Sequence, residues 1–477
     1  MKSDSKAGHC GRVHDLSGMS RREALKRAGA GFGLVALSGM LARESVAATT
    51  PHFRPRAKRI IWLFMGGGVS HVDSFDPKPE LKNMHRQKIP ISLPANLRDG
   101  SDKILASPFS FRRYGDSGLP VSELFPHVAA HVDKLCVVRS MHCDSIDHTG
   151  ATLQTFTGAV SLPRPGIGNW VLYGLGTENR NLPGFVVLGP DQQSGTATYS
   201  PRFLPSSSSA TRVHWKYSPD VTPHQALPNL RNAAGLTDSD QNLQLDLLRK
   251  LNGLHAGGHP DKDPLESRTR AFELAFRMQM TAPEAFDISG ESEATRRLYG
   301  LDDSHCMSFG YRCLLARRLA ERDVRFIQVQ CGKGDGLDWD QHGNLEGGHR
   351  KNARATDKPI AGLLHDLESR GLLEDTLVVW AGEFGRTPTS QGQDGREHHP
   401  HGYTIWLAGG GVRPGMVYGS TDEFGWYARE NPMHIHDLHA TLLHLLGINH
   451  ESLTYRYSGR DFRLTDVFGE VAWPIIA

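Results

Sequence analysis

Arg59-Ile60-Ile61-Trp62-Leu63-Phe64-Met65 runs without a break into Gly66-Gly67-Gly68-Val69-Ser70-His71-Val72-Asp73-Ser74-Phe75-Asp76. The first seven residues hold six apolar ones in succession and leave no polar face. That pattern reads as a strand buried on both sides, which a helix-covered parallel sheet requires. The glycines and polar residues that follow mark the loop at the strand's C-terminal end, where open α/β sheets place their sites.

Working outward, five further runs have the same character: 134–139 (KLCVVR), 184–188 (GFVVL), 324–330 (VRFIQVQ), 376–381 (TLVVWA) and 403–408 (YTIWLA). Helical patterns lie between them at 121–131, 149–157, 243–254, 267–280, 308–322, 352–370 and 436–446. Gly158, Gly371 and Gly447 each follow such a run, where a helix C-terminus favours a left-handed residue. This alternation predicts an α/β fold: a doubly wound, mainly parallel sheet with helices on both faces. Residues 189–235, with Ser206–Ser209 and scattered prolines, lack periodicity and read as the start of a surface insertion extending to about residue 300. No internal repeat is present.

The 477 residues are 38% hydrophobic and 22% charged, a globular mixture. A net charge of +2 excludes a broad basic field for nucleic acid. Ser20-Arg21-Arg22-Glu23-Ala24-Leu25-Lys26 is a twin-arginine export motif, followed by an uncharged run to Leu41 and the small-x-small site Ser45-Val46-Ala47. Residues 1–47 are therefore read as a signal peptide handled by the twin-arginine machinery, and 48–477 as a single mature domain. The apolar run is too short for a permanent membrane span, so the expected location is periplasmic or secreted. Without the leader, the net charge falls to near −2. Five cysteines remain, an odd number without a Cys-x-x-Cys pair, which excludes a complete disulfide framework and favours buried thiols.

Potential ligands cluster after the strands. His142-Cys143-Asp144-Ser145-Ile146-Asp147-His148-Thr149 follows the second strand, and Asp335-Gly336-Leu337-Asp338-Trp339-Asp340-Gln341-His342 the fourth. Glu383-Phe384-Gly385-Arg386 follows the fifth, and Glu397-His398-His399-Pro400-His401 precedes the sixth. Taken singly, each Asp or His also reads as a solvated or hydrogen-bonded loop residue. Five such loops at one sheet edge point to a shared site. Carboxylate and imidazole without thiolate suit a divalent metal: zinc, manganese, calcium or iron. Such an ion polarises an ester oxygen and activates a hydroxyl or water. Thr149 and Ser145 stand at a helix start that favours an anion, although Thr149 reads equally as a helix N-cap. His148 is a candidate ligand or acid, and Arg386 a candidate bidentate clamp on phosphate or sulfate oxygens. No Lys-Ser/Thr follows the three glycines, so a phosphate-binding loop is a poor reading.

The stretches IIWLFMGGGVSHVDSFDPKPEL, WAGEFGRTP, GREHHPHGYTIWLAGGG, VYGSTDEFG, HIHDLHATLLHLLGI and YRYSGRDFRLTDV resemble the bacterial domain-of-unknown-function family of twin-arginine-exported, sulfatase-like proteins. The resemblance spans nearly all of residues 50–470. That family is grouped with the alkaline phosphatase superfamily, which implies a two-metal hydrolase site in its active members. By resemblance, Asp338-x-x-x-His342 corresponds to a ligand pair and His398 or His401 to the last metal-binding histidine. Gly66-Gly67 replaces the sulfatase Asp-Asp, leaving His71, Asp73 and Asp76 as substitutes. Glu383-Phe384-Gly385 replaces Asp-His-Gly, with Glu383 as ligand. The formylglycine motif is absent; Ser161-Leu162-Pro163-Arg164-Pro165 comes nearest. Three functions follow as expectations: a metal-dependent hydrolase of phosphate or sulfate esters, with a sulfated or phosphorylated glycan as substrate; a glycan- or anion-binding protein with an eroded site; or a structural envelope protein.

Overall fold

Each of the six apolar runs forms a strand, and all six lie in one sheet. The computed structural model describes residues 50–93, 100–162, 164–190, 194–213, 237–256, 273, 277 and 281–477; the expected leader lies outside them. In chain order the strands of the main sheet are β1 (Arg59–Met65), β2 (Leu135–His142), β3 (Phe185–Leu188), β4 (Thr211–Val213), β5 (Phe326–Cys331), β6 (Thr376–Ala381), β7 (Tyr403–Ala408), β8 (Met416–Tyr418) and β9 (Met433–His434). Their order across the sheet is β8-β2-β7-β6-β1-β5-β3-β4, with β9 also pairing with β2. β1 lies between β5 and β6, parallel to both. β7 alone is reversed, antiparallel to β2 and β6.

That reversal decides where the site forms. Because β7 runs back from the edge at which β6 ends, residues 382–402 stay at the C-terminal edge of the sheet. All seven residues of β1 are buried. Burial of each large apolar side chain there contributes about 1.5–3 kcal/mol relative to exposure. Arg59 is tolerated at its start because Asp323 and Asp375 each approach its guanidinium at 2.9 Å.

The alternate sides of β1 enter two separate cores. Ile61, Leu63 and Met65 pack with α4 (Met307–Ala320) and α5 (Leu345–Ser369). Ile60, Trp62 and Phe64 pack with α1 (His148–Thr157), α2 (Ile167–Leu175) and α6 (Ile435–Leu445). The sheet is thus covered on both faces, as its apolar strands require. Leu438, Leu442, Leu445 and Leu446 are buried in the second core.

Local structure departs from the sequence reading in several places. The helix expected at 121–131 is instead a strand, Leu119–Ser122, followed by a four-residue helix, Pro126–Ala129. Pro126 holds the first helical position and lacks the N–H that an earlier turn would need. The helix expected at 243–254 is the core of α3 (Asp238–Ala256). That expected at 267–280 lies outside the described residues, apart from 273 and 277. Within the stretch read as a surface insertion, Thr211–Val213 adds a strand to the sheet edge, and Ala285, Phe286 and Tyr299 are core residues. All five described cysteines are buried and free. No helix among the described residues is long and apolar enough to cross a membrane.

Candidate metal centre

Loops following β1, β2, β5 and β6 meet the segment preceding β7 around the side chain of Asp340. Two glycines allow the approach. Gly67 (φ +110°) and Gly68 (φ +80°) adopt left-handed backbone after β1. A Cβ on Gly67 would lie 2.5 Å from Asp338 Oδ1, and one on Gly68 would lie 2.7 Å from the Phe384 ring. The loop after β5 is fastened by Trp339, whose N–H donates to Gly66 O at 3.1 Å. The Gln341 and Asn352 amides both donate to Asp338 O at 2.5 Å. Asp147 caps α1, its Oδ1 accepting the Gly150 N–H at 2.9 Å, and so sets His148 as the first helical residue. A short antiparallel ladder pairs Gly385 with His399 and Arg386 with His398.

The result is three imidazoles converging on one carboxylate oxygen. Asp340 Oδ1 lies 3.1 Å from His148 Nε2, 2.9 Å from His342 Nε2 and 3.1 Å from His398 Nε2. The Nε2 atoms of His342 and His398 are 3.0 Å apart. Each imidazole is held from behind through Nδ1. His148 Nδ1 lies 2.7 Å from Glu383 Oε1 and His398 Nδ1 2.8 Å from Ile146 O, while His342 Nδ1 contacts Gln391 Oε1. A carboxylate and a carbonyl only accept, so Nδ1 carries a proton in His148 and His398, and Nε2 is the atom that each ring turns inward. His148 Nε2 is buried without a hydrogen-bond partner.

Electrostatics reinforce the cluster. Burial opposes ionisation of Asp340, but His148, His398 and Arg386 hold its carboxyl far below the usual carboxylate range. Burial disfavours charge on His148 as well, yet Asp340 and Glu383 outweigh it and raise this imidazole to about 9. The Phe384 ring covers one side, 4.9 Å from His148 and 4.8 Å from His398 between centroids. Side-chain exposure rises from 8% at His148 to 16% at His398 and 38% at His342, so solvent enters from the His342 side.

The donor set suits a small cation. The candidate ligand atoms of His148, Asp340, His342 and His398 all lie within 4.8 Å of one another. A tetrahedral ion with bonds of about 2.0–2.1 Å keeps its donors about 3.3 Å apart. Three nitrogens and one oxygen fit zinc, and they also suit manganese or iron. They do not suit calcium, which takes six to eight oxygen ligands.

Other residues nominated from the sequence are placed differently. Asp338 Oδ1 accepts the Asp340 N–H at 3.2 Å, and burial raises its carboxyl pKa. Glu383 stands behind His148, its two oxygens accepting the Gly67 N–H at 2.9 and 3.2 Å. Arg386 is fully buried and donates to Asp340 Oδ1 at 2.5 Å, Gly68 O at 3.1 Å, Arg396 O at 3.2 Å and Gly67 O. Ser145 donates to Asp147 Oδ2 at 2.8 Å, whereas Thr149 is exposed beside His148.

His71, Asp73, Asp76 and His401 each have other partners. His71 is buried, with Nε2 2.7 Å from Gly425 O. Asp73 forms a buried ion pair with Arg396, at 2.7 and 3.2 Å. Asp76 pairs with Lys78 at 3.1 Å. His401 lies against the rings of His399 and Tyr427. Asp340, which the resemblance passed over, is the carboxylate that meets the histidines. Asp-x-x-x-His spacing aligns side chains on a helix, but no helix spans 338–342.

No curated protein matches the sequence. Ps i-CgsB in complex with k-i-k-neocarrahexaose is a similar solved structure, 10% identical over 88% of this chain and 76% of that one, with a TM-score of 0.38. The lipoteichoic acid synthase LtaP from Listeria monocytogenes is 9% identical over 88% and 78%, with a TM-score of 0.35. Alkaline phosphatase from the Antarctic bacterium TAB5 is 12% identical over 83% and 99%, with a TM-score of 0.33. Residues 57–476 match the family described as protein of unknown function DUF1501, and the chain therefore belongs to that family.

Proposed function

We propose that this chain is an exported, metal-dependent hydrolase of phosphate or sulfate esters, with an anionic glycan as its substrate class. The observation that carries the reading is the convergence of three imidazole Nε2 atoms on Asp340 Oδ1, each imidazole held from behind through Nδ1. His148, Asp340, His342 and His398 would hold a zinc or manganese ion. When bound, such an ion would polarise an ester oxygen and lower the pKa of a nearby hydroxyl or water.

The chain's own groups divide the remaining work. Glu383 orients His148, the Ile146 carbonyl orients His398 and the Gln391 amide orients His342. Thr149 is the better-placed hydroxyl for nucleophilic attack, because it is exposed next to His148 at the start of α1. The Ser145 hydroxyl is engaged with Asp147. With a mature charge near −2, recognition of an anionic polymer is confined to the site rather than spread over a basic surface.

Arg386 also supports a second reading. A guanidinium wholly engaged inside the protein is unavailable to clamp a substrate anion, which favours a binding protein that holds a glycan without turnover. Zinc- or manganese-loaded protein assayed on aryl phosphate and aryl sulfate esters, beside Thr149→Ala, separates the two. The hydrolase reading expects turnover of at least one ester and a loss of about 100-fold or more in Thr149→Ala. No turnover of either ester by protein that retains its ion rejects it in favour of the binding reading.

A further inference from the structure

In two-ion hydrolase sites a second cation stands about 3.5–4 Å from the first. In this site the central carboxylate, Asp340, already has a cation on it. Arg386 Nη2 is 2.5 Å from Asp340 Oδ1, the oxygen at which the three imidazoles converge. The guanidinium is fully buried and held by the carbonyls of Gly67, Gly68 and Arg396. Its antiparallel partner in the short ladder is His398, itself one of the converging imidazoles, so backbone pairing fixes its distance from the cluster.

The neighbouring carboxylates are also engaged. Asp73 is paired with Arg396, and Asp76 with Lys78. Glu383 accepts from the Gly67 N–H with both oxygens and faces His148 Nδ1. Glu397 Oε1 accepts the His398 backbone N–H at 3.0 Å and stands 3.7 Å from His342 Nδ1. That leaves Asp338, whose Oδ1 accepts the Asp340 N–H. One such carboxylate does not make an ion site.

From this geometry we propose that the Arg386 guanidinium is the site's resident second cation, so that the chain binds one divalent ion where the superfamily pattern expects two. The inference rests on the metal reading above. It adds that Asp340 bridges an exchangeable ion and a permanent one, and that a second divalent ion is kept out by charge and by occupied space. A guanidinium fits here because its planar fork bonds several oxygens at once, which a lysine ammonium does not reproduce.

The test is metal stoichiometry of the folded full chain, measured by elemental analysis after zinc loading and removal of excess, and by cobalt(II) titration followed in the visible spectrum. Only ions lost in Asp340→Asn are counted, because a chain with 25 histidines also binds zinc elsewhere. One ion per chain is expected. Two ions per chain, both lost in Asp340→Asn, overturn the proposal while leaving the metal reading intact. No ion at all overturns the metal reading itself. Arg386→Gln, checked for folding by circular dichroism, is expected to take up a second equivalent or to bind the first at least about tenfold more tightly. If it folds and does neither, the guanidinium is not the competing cation and the proposal fails. Should it not fold, the stoichiometry of the unmutated chain decides.

Discussion

Asp338 and Asp340 are the same residue type two positions apart, and the backbone around them separates their roles. The Asp338 carbonyl is pinned by the Gln341 and Asn352 amides and its Oδ1 takes the Asp340 N–H, while Asp340 Oδ1 projects among the histidines. Asp340→Asn is therefore expected to weaken zinc binding by about 100-fold or more, and Asp338→Asn by less than about tenfold. Competition titration against a chelator measures both, and equal losses would contradict the assignment. Behind the ring, Glu383→Gln keeps the shape but removes the charge facing His148 Nδ1. A 10–100-fold loss of zinc affinity is typical of such orienting partners. His148, His342 and His398 were legible in the sequence because each follows or precedes an apolar strand. Asp340 was not, because the Asp-x-x-x-His resemblance pointed to its neighbour Asp338, and the non-helical loop instead turns Asp340 toward the histidines. The burial of Arg386 was equally invisible. Nothing in the sequence says that two glycine carbonyls 318 and 319 positions away would claim its guanidinium.

At the scale of elements, the apolar runs located six strands of the main sheet because a strand buried on both faces has only one composition available to it. Weaker signals failed. The nine-residue α2 (IGNWVLYGL) carries Gly168 and Gly174, which weaken a helical reading, and it is not among the expected helices; the helix expected at 121–131 disregarded Pro126. That short helix, Pro126–Ala129, depends on another element. The Asp357 carboxylate, midway along α5, accepts the N–H groups of His127 and Val128 at 2.8 Å each. Burial raises this carboxyl to about 7 despite those bonds. Its unfolded value is about 3.9. Between those values the folded chain binds the extra proton, so this group's contribution is fully present below about pH 4. It is lost as pH rises towards 7, at up to about 1.4 kcal/mol per pH unit. Asp357→Asn cannot ionise and should remove that part of the slope. Urea midpoints of both proteins from pH 4 to 7 provide the comparison. Parallel curves would show that Asp357 is not the group responsible.

At the scale of the whole molecule, the candidate metal site is assembled from Gly67, His148, Asp340, His342, Glu383, Arg386 and His398, which are far apart in the sequence and meet only when the sheet is complete. An unfolded or threading chain has no such site, so any ion selected by this geometry is acquired after folding. On the proposed twin-arginine export, a route that carries folded cargo, folding before crossing the membrane would let the ion be chosen in the cytoplasm. That would give a physical reason for the Arg21-Arg22 pair. Because a receptor would read such a pair as an address rather than as charge, Arg21→Lys with Arg22→Lys should keep the precursor in the cytoplasm without unfolding it. Cell fractionation with immunoblotting locates the protein, and elemental analysis of the trapped precursor reports its ion. Folded, metal-loaded precursor inside the cell is the expected result. Normal export of the double variant would remove the twin-arginine assignment. A trapped precursor that folds but carries no ion would show that the ion is acquired outside.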